Sequence, residues 1–162
     1  NMIRLKTSVL VAAALKMGAI VSEANEENAN LIYAFGLNLG LAFQLQDDYL
    51  DTFGDPETFG KQVGGDIIEN KKTFLYLKAL EVSNAADTQK LKSFFNEKLE
   101  NNAIKINEVK RIFELNDIPV LIKQQIQVYT EKAFDTLSKM DISKMNKDNL
   151  KAFGLWLMNR TV

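Results

Sequence analysis

Three aspartates, Asp47, Asp48 and Asp51, carry the spacing in this chain best suited to chemistry. On a helix, with Asp47 set at 0°, Asp51 lies at about 40°, Gln44 at about 60° and Asp48 at about 100°. Further back along the same helix Gly40 falls at about 20°, Gly36 at about −20° and Tyr33 at about 40°. One stripe therefore reads Tyr33, Gly36, Gly40, Gln44, Asp47, Asp51, with polar and very small residues sharing a face. Carboxylates this close repel one another unless cations compensate. Between Asp47 and Thr73 seven acidic residues face three lysines (61, 71 and 72), an excess of four negative charges. Hard oxygen donors without histidine or cysteine suit magnesium, which typically binds through one or two carboxylates plus substrate phosphates. The lysines would then serve as point charges on those phosphates. Two glycines inside a helix cost about 1 kcal/mol each relative to alanine, so something must approach that face closely. A solvated acidic surface and close helix packing remain the alternatives for the aspartates and the glycines, respectively.

The composition narrows the chemistry further. The chain has 162 residues, 46% of them apolar and 25% charged, which suits one globular domain with a substantial core. A net charge of −1 provides no electrostatic footprint for nucleic acid and no polybasic membrane patch. Without cysteine there are no disulfides and no thiolate metal sites, and without histidine the commonest general base is gone. Catalysis must rest on carboxylates, lysines, hydroxyls, amides or a bound metal. The apolar run at 9–15 is too short to span a bilayer, and the default expectation is a cytoplasmic protein.

The elements that must position these residues are helices. Prolines number two, and apolar residues recur at intervals of three and four, so an all-α domain is expected. The pattern predicts a first helix over about 3–21, with an apolar run that suggests burial on most sides. A long second helix, capped by Ser22, should run to about Thr52. The segment 53–65, with Gly54, Asp55-Pro56, Gly60 and Gly64-Gly65, reads as loop and hinge. Asp66 is expected as an N-cap or a ligand at the head of a helical stretch running through Phe74 and Leu80. Beyond a turn at 83–87, helices are expected over about 88–101, 104–115, 120–138 and 147–158. Phe153, Trp156 and Met158 read as core.

The run Phe43-Gln44-Leu45-Gln46-Asp47-Asp48-Tyr49-Leu50-Asp51 resembles the second aspartate-rich motif of the trans-isoprenyl diphosphate synthases, the polyprenyl synthetases. Gly60-Lys61, Gly65-Asp66-Ile67, Lys71 and Thr73 are similar to that family's downstream segment in order and spacing, and Lys6-Thr7 to its upstream lysine–threonine pair. Asn70 stands where many members have glycine. The resemblance covers the whole chain as the family's C-terminal half. It implies a helical bundle of the isoprenoid-synthase type, and condensation of an allylic diphosphate with isopentenyl diphosphate by magnesium-assisted ionisation. By position Asp47, Asp48 and Asp51 would hold Mg2+, and Asp66 would belong to its water shell. Lys61 and Lys71 would grip the diphosphate with help from Lys6. Thr7 and Gln44 would lie beside the departing group, where their oxygens could stabilise the allylic cation. A homodimer is also implied.

The family's first aspartate-rich motif has no counterpart in the chain, nor do the basic residues of its isopentenyl diphosphate site. The expectation is therefore a portion of a longer prenyltransferase, with half of the metal site and little or no activity alone. A terpene cyclase of the same architecture ranks lower, because cyclases usually carry an asparagine, serine and glutamate where Asp47, Asp48 and Asp51 stand. A non-catalytic helical partner is the remaining alternative, against which the presence of Lys61, Asp66 and Lys71 argues.

Overall fold

The computed structural model describes residues 4–55, 63–96 and 101–159, and among them every regular element is helical. A π-helical turn, Arg4–Ser8, runs into α1 (Val9–Val21), followed by the long α2 (Glu26–Phe53) and the one-turn α3 (Gly65–Ile68). Then come α4 (Phe74–Val82), α5 (Ala85–Asn96), α6 (Asn102–Leu115), α7 (Ile118–Ser138) and α8 (Lys144–Met158). The chain divides into two compact units, Asn1–Gln46 with Gln125–Arg160, and Asp47–Gln124.

In the first unit the core is built where the apolar stripe of α2, Ile32, Phe35 and Leu39, meets Ala133, Leu137 and Met140. The glycine pair of α2 is explained here. A Cβ on Gly36 would stand 3.0 Å from Ala12 Cα, and one on Gly40 would stand 2.9 Å from Ser8 Cα. What approaches the small-residue stripe is thus the backbone of the preceding helix, and of the two readings open for the glycines it is helix packing that holds. Ser22 does not cap α2. It ends α1, its amide donating to Gly18 O, and the α2 amide of Asn28 is capped instead by the Asn25 side chain at 2.8 Å. An asparagine three residues ahead is the better cap because a turn, with Glu23 at φ 57°, intervenes. Asn28 is itself buried and exchanges two hydrogen bonds of 2.9 Å with the backbone of Asp141, tying the α7–α8 link to α2.

Two expectations of burial are overturned. Leu10 in the apolar run of α1 is 68% exposed, and on α8 Phe153 and Trp156, both read as core, are 44% and 66% exposed. They lie on the outer faces of helices whose opposite faces already meet their partners (Ala12 for α1, Gly154 against Phe134 for α8). Hydrophobic run length alone cannot say which face that is.

In the second unit Leu75, Tyr76 and Ala79 of α4 are buried, as are Leu91 and Phe95 of α5 and Val109, Ile112 and Phe113 of α6. The rings of Tyr76 and Phe95 stack at 4.1 Å between centroids. α6 begins on an Asn101 cap that accepts from the amides of Ala103 and Ile104, at 3.0 and 3.2 Å. The expected single stretch from Asp66 through Leu80 is two helices. α3 stops at Ile68, and Asn70 takes a left-handed conformation, φ 57°, before α4 starts at Phe74. Asp66 is not the cap of α3, since Gly64, at φ 87°, occupies that position.

Candidate functional site

The second half of α2 carries the aspartates, and it is held by buried Leu45 and Leu50 on flanks about 140° apart around the helix. The three carboxylates are not equally placed. Asp48 is 5% exposed, whereas Asp47 and Asp51 are half-buried. The difference follows the helical wheel, which sets Asp48 about 60° from buried Leu45 and about 40° from buried Thr52, whereas Asp47 lies about 160° and 140° from them.

Asp51 joins two segments. Its Oδ2 accepts the backbone N–H of Asp66 at 2.9 Å, and its backbone oxygen accepts the N–H of Gly64. The glycines of the loop allow this closure. Gly64 adopts a positive φ that L side chains rarely take, and a Cβ on Gly65 would stand 3.1 Å from Asp51 Oδ1. Half-burial pushes the Asp51 carboxyl above its ordinary value. The Asp66 amide and the Lys71 charge pull it down but do not cancel that rise, to which the neighbouring charges of Asp66 and Asp47 add.

Beyond the short α3 the chain turns back on itself. The Lys71 N–H donates to Asp66 O at 2.9 Å, and its ammonium contacts Asp66 Oδ1 and Glu69 Oε2, both at 2.8 Å. These carboxylates hold the Lys71 ammonium firmly protonated, and Lys71 in turn lowers the Glu69 carboxyl. The predicted residues Asp51, Asp66 and Lys71 are therefore brought together. Glu69, which the sequence pattern did not single out, joins them as a second partner of Lys71. A lone glutamate in an acid-rich stretch carries no signal that would have found it. Lys61 lies outside the described residues.

In the first unit Thr7 and Gln44, each expected beside the departing group, meet one another. The Thr7 hydroxyl donates to Gln44 Oε1 at 3.0 Å, across 37 positions of sequence. Thr7 lies in the π-helical turn, where the register of the helix is widened, beside the close approach of Ser8 to Gly40. The Lys6 side chain, in the same turn, is exposed.

Among the described residues no three carboxylates stand close enough to form a ready-made cation cage. The donors present are nonetheless all oxygens, and Asp51, held above its ordinary pKa by half-burial and by neighbouring carboxylates, is a group that a cation would relieve. That donor set fits magnesium, which completes its shell with water and phosphate rather than with a full protein cage. Among the described residues no helix is long and apolar enough to cross a membrane.

An all-helical bundle carrying an aspartate triplet, a glycine-bordered acid–lysine loop and a threonine–glutamine pair defines a class, and sequence comparison agrees. The polyprenyl synthetase family matches over residues 1–115, and the chain belongs to that family. It is similar to a short chain isoprenyl diphosphate synthase of Methanothermobacter thermautotrophicus, 44% identical over 111 residues, which make up 67% of this chain and 34% of that protein. The fold is also that of a crystal structure of geranylgeranyl pyrophosphate synthase, 49% identical with a TM-score of 0.89 over 98% of this chain and 50% of the other. A geranylgeranyl pyrophosphate synthase from Corynebacterium glutamicum, complexed with isoprenyl diphosphate and magnesium, is 26% identical with a TM-score of 0.87, over 98% of this chain and 45% of the other. The chain thus spans about a third of the curated relative and about half of the solved structures.

Proposed function

We propose that this chain is the diphosphate-releasing portion of a prenyltransferase that condenses an allylic diphosphate with isopentenyl diphosphate. The observation that carries the reading is the closure of Asp66 and Lys71 onto Asp51, which sets oxygen donors and a cation side by side in a member of the polyprenyl synthetase family. Asp47, Asp48 and Asp51 are the proposed Mg2+ residues, with Asp66 bound to the metal's water. By its position in the motif Asp47 would be the main ligand, with Asp48 and Asp51 shaping the hydration of the metal. Magnesium would supply positive charge to the leaving diphosphate as its carbon–oxygen bond breaks.

The chain's own residues have separate tasks. Lys71, with Lys61 and Lys6, would neutralise the diphosphate oxygens; Lys71 would exchange its carboxylate partners for phosphate. Thr7 and Gln44 hold each other's side chains in place and would turn their oxygens toward the allylic carbon. The electron pair of the isopentenyl double bond forms the new carbon–carbon bond, and the proton then lost passes to the released diphosphate. No histidine base is needed. A homodimer and a cytoplasmic location complete the reading.

Titration calorimetry of the chain with pyrophosphate tests it. Binding should require Mg2+ and be abolished by Asp47→Ala. Binding unchanged by that substitution, or indifferent to Mg2+, would sink the assignment, and absence of any binding would favour a non-catalytic helical partner.

A further inference from the structure

Lys105 on α6 is 2% exposed, yet among the described residues no carboxylate forms an ion pair with it. Its ammonium donates to Asn70 Oδ1 at 2.5 Å and reaches Ile68 O at 3.5 Å, and it lies 5.5 Å from the centroid of the Phe95 ring. Burial pushes its pKa below the ordinary lysine value. A buried cation with neutral partners is costly, and an apolar side chain of similar volume would pack at least as stably. The ammonium therefore calls for a reason beyond packing, and its contacts point to one place. Ile68 is the last residue of α3, where carbonyls lose their helical partners. Asn70 holds the left-handed turn, a conformation that side chains disfavour and glycine takes freely. That turn returns Lys71 to Asp66, whose amide in turn meets Asp51.

We propose that Lys105 is a positioning residue: its buried ammonium pins Asn70 in the left-handed turn, and so sets where Lys71 and Asp66 are presented to a diphosphate. The second clause rests on the function proposed above, whereas the pinning of the turn does not. A lysine serving only as filler in the core would be replaced by methionine without local effect. A lysine that pins the turn would be replaceable only if the turn no longer needed pinning. Glycine at position 70 meets that condition, since it takes a positive φ without side-chain help.

The experiment compares Lys105→Met, Asn70→Gly and the double variant with the unsubstituted chain. Amide hydrogen exchange without ligand reads the turn, and Mg2+-dependent pyrophosphate binding reads its consequence. In Lys105→Met the Lys71 amide should exchange about tenfold faster while those of Leu91 and Phe95 keep their rates, and pyrophosphate affinity should fall about tenfold. Adding Asn70→Gly should restore both. Unchanged Lys71 exchange in Lys105→Met, acceleration shared by the whole core, or no recovery in the double variant would each overturn the proposal. If the unsubstituted chain binds no pyrophosphate, the diphosphate reading fails, and the Lys71 exchange rate still decides whether Lys105 pins the turn.

Discussion

The backbone N–H of Asp66 donates to Asp51 Oδ2 at 2.9 Å, so a residue of the aspartate triplet also closes the loop that follows it. A carboxylate with one oxygen committed to an amide keeps the other for a ligand. Asp51 is therefore both a structural joint and a candidate for metal contact, and the two roles can be separated by substitution.

Asp51→Asn keeps an oxygen for the Asp66 amide and removes the charge; Asp51→Ala removes both. The Asp51 carboxyl is raised from 3.8 by half-burial, so the folded chain favours its protonated form. That contribution to stability is fully present below the ordinary value and is lost as pH rises through the raised one. At neutral pH ionised Asp51 is therefore a burden on the ligand-free fold. In urea denaturation at pH 7, Asp51→Asn should be neutral or slightly stabilising, whereas Asp51→Ala should lose about 1–3 kcal/mol through the orphaned amide. On lowering the pH, the unsubstituted chain should gain on Asp51→Asn. A constant difference between the two would show that Asp51 titrates as an ordinary aspartate.

The glycines of the helix pair allow a test of packing against propensity. A Cβ at Gly40 meets Ser8 Cα at 2.9 Å and one at Gly36 meets Ala12 Cα at 3.0 Å, but one at Gly18 meets nothing within 4 Å. Gly36→Ala and Gly40→Ala should each destabilise by about 1–3 kcal/mol as the helices are forced apart. Gly18→Ala, on an exposed part of α1, should stabilise by up to about 1 kcal/mol through helix propensity. Thermal unfolding of the three variants checks the order. A stable Gly40→Ala would mean that α1 and α2 can separate without cost.

Thr7 and Gln44 should be energetically coupled. Their hydrogen bond is part-buried, and removing either partner loses it. Thr7→Val and Gln44→Leu should each destabilise, and the double variant should cost less than the sum by about 1 kcal/mol. Additive losses in a double-mutant cycle would show that the contact is incidental.

These residues differ in how far the sequence could reveal them. Motif order named Thr7, Gln44, Asp66 and Lys71 as residues of one diphosphate site, but the hydrogen bond of Thr7 to Gln44 and the ion pair of Lys71 with Asp66 are seen only in the structure. Helix existence was legible from periodicity throughout, since 3.6-residue spacing is a local property. Three things were not. The break after Ile68 depends on Asn70 adopting φ 57°, a conformation that asparagine tolerates but does not announce. The packing of Gly36 and Gly40 against α1 requires knowing which helix lies opposite. Lys105 looks like one more lysine of an amphipathic helix, and only its 2% exposure sets it apart.

Lys71 offers the clearest separation of stability from binding. Its ion pairs with Asp66 and Glu69 are open to solvent, the Lys71 side chain being 50% exposed, and pairs of that kind add little to stability. Lys71→Ala should therefore leave the unfolding midpoint almost unchanged. A diphosphate, by contrast, concentrates negative charge that a neighbouring ammonium neutralises through charge-assisted hydrogen bonds worth roughly 1.5–3 kcal/mol. Pyrophosphate affinity in the presence of Mg2+ should fall by about tenfold or more, and the loss should shrink at high salt as screening weakens the contact in the unsubstituted chain. Glu69→Gln supplies the opposite sign. It frees Lys71 from one carboxylate without touching the proposed metal residues, so affinity should hold or rise. Calorimetric titrations of both variants at low and high salt decide the matter: equal affinity of Lys71→Ala and the unsubstituted chain would remove Lys71 from the diphosphate site.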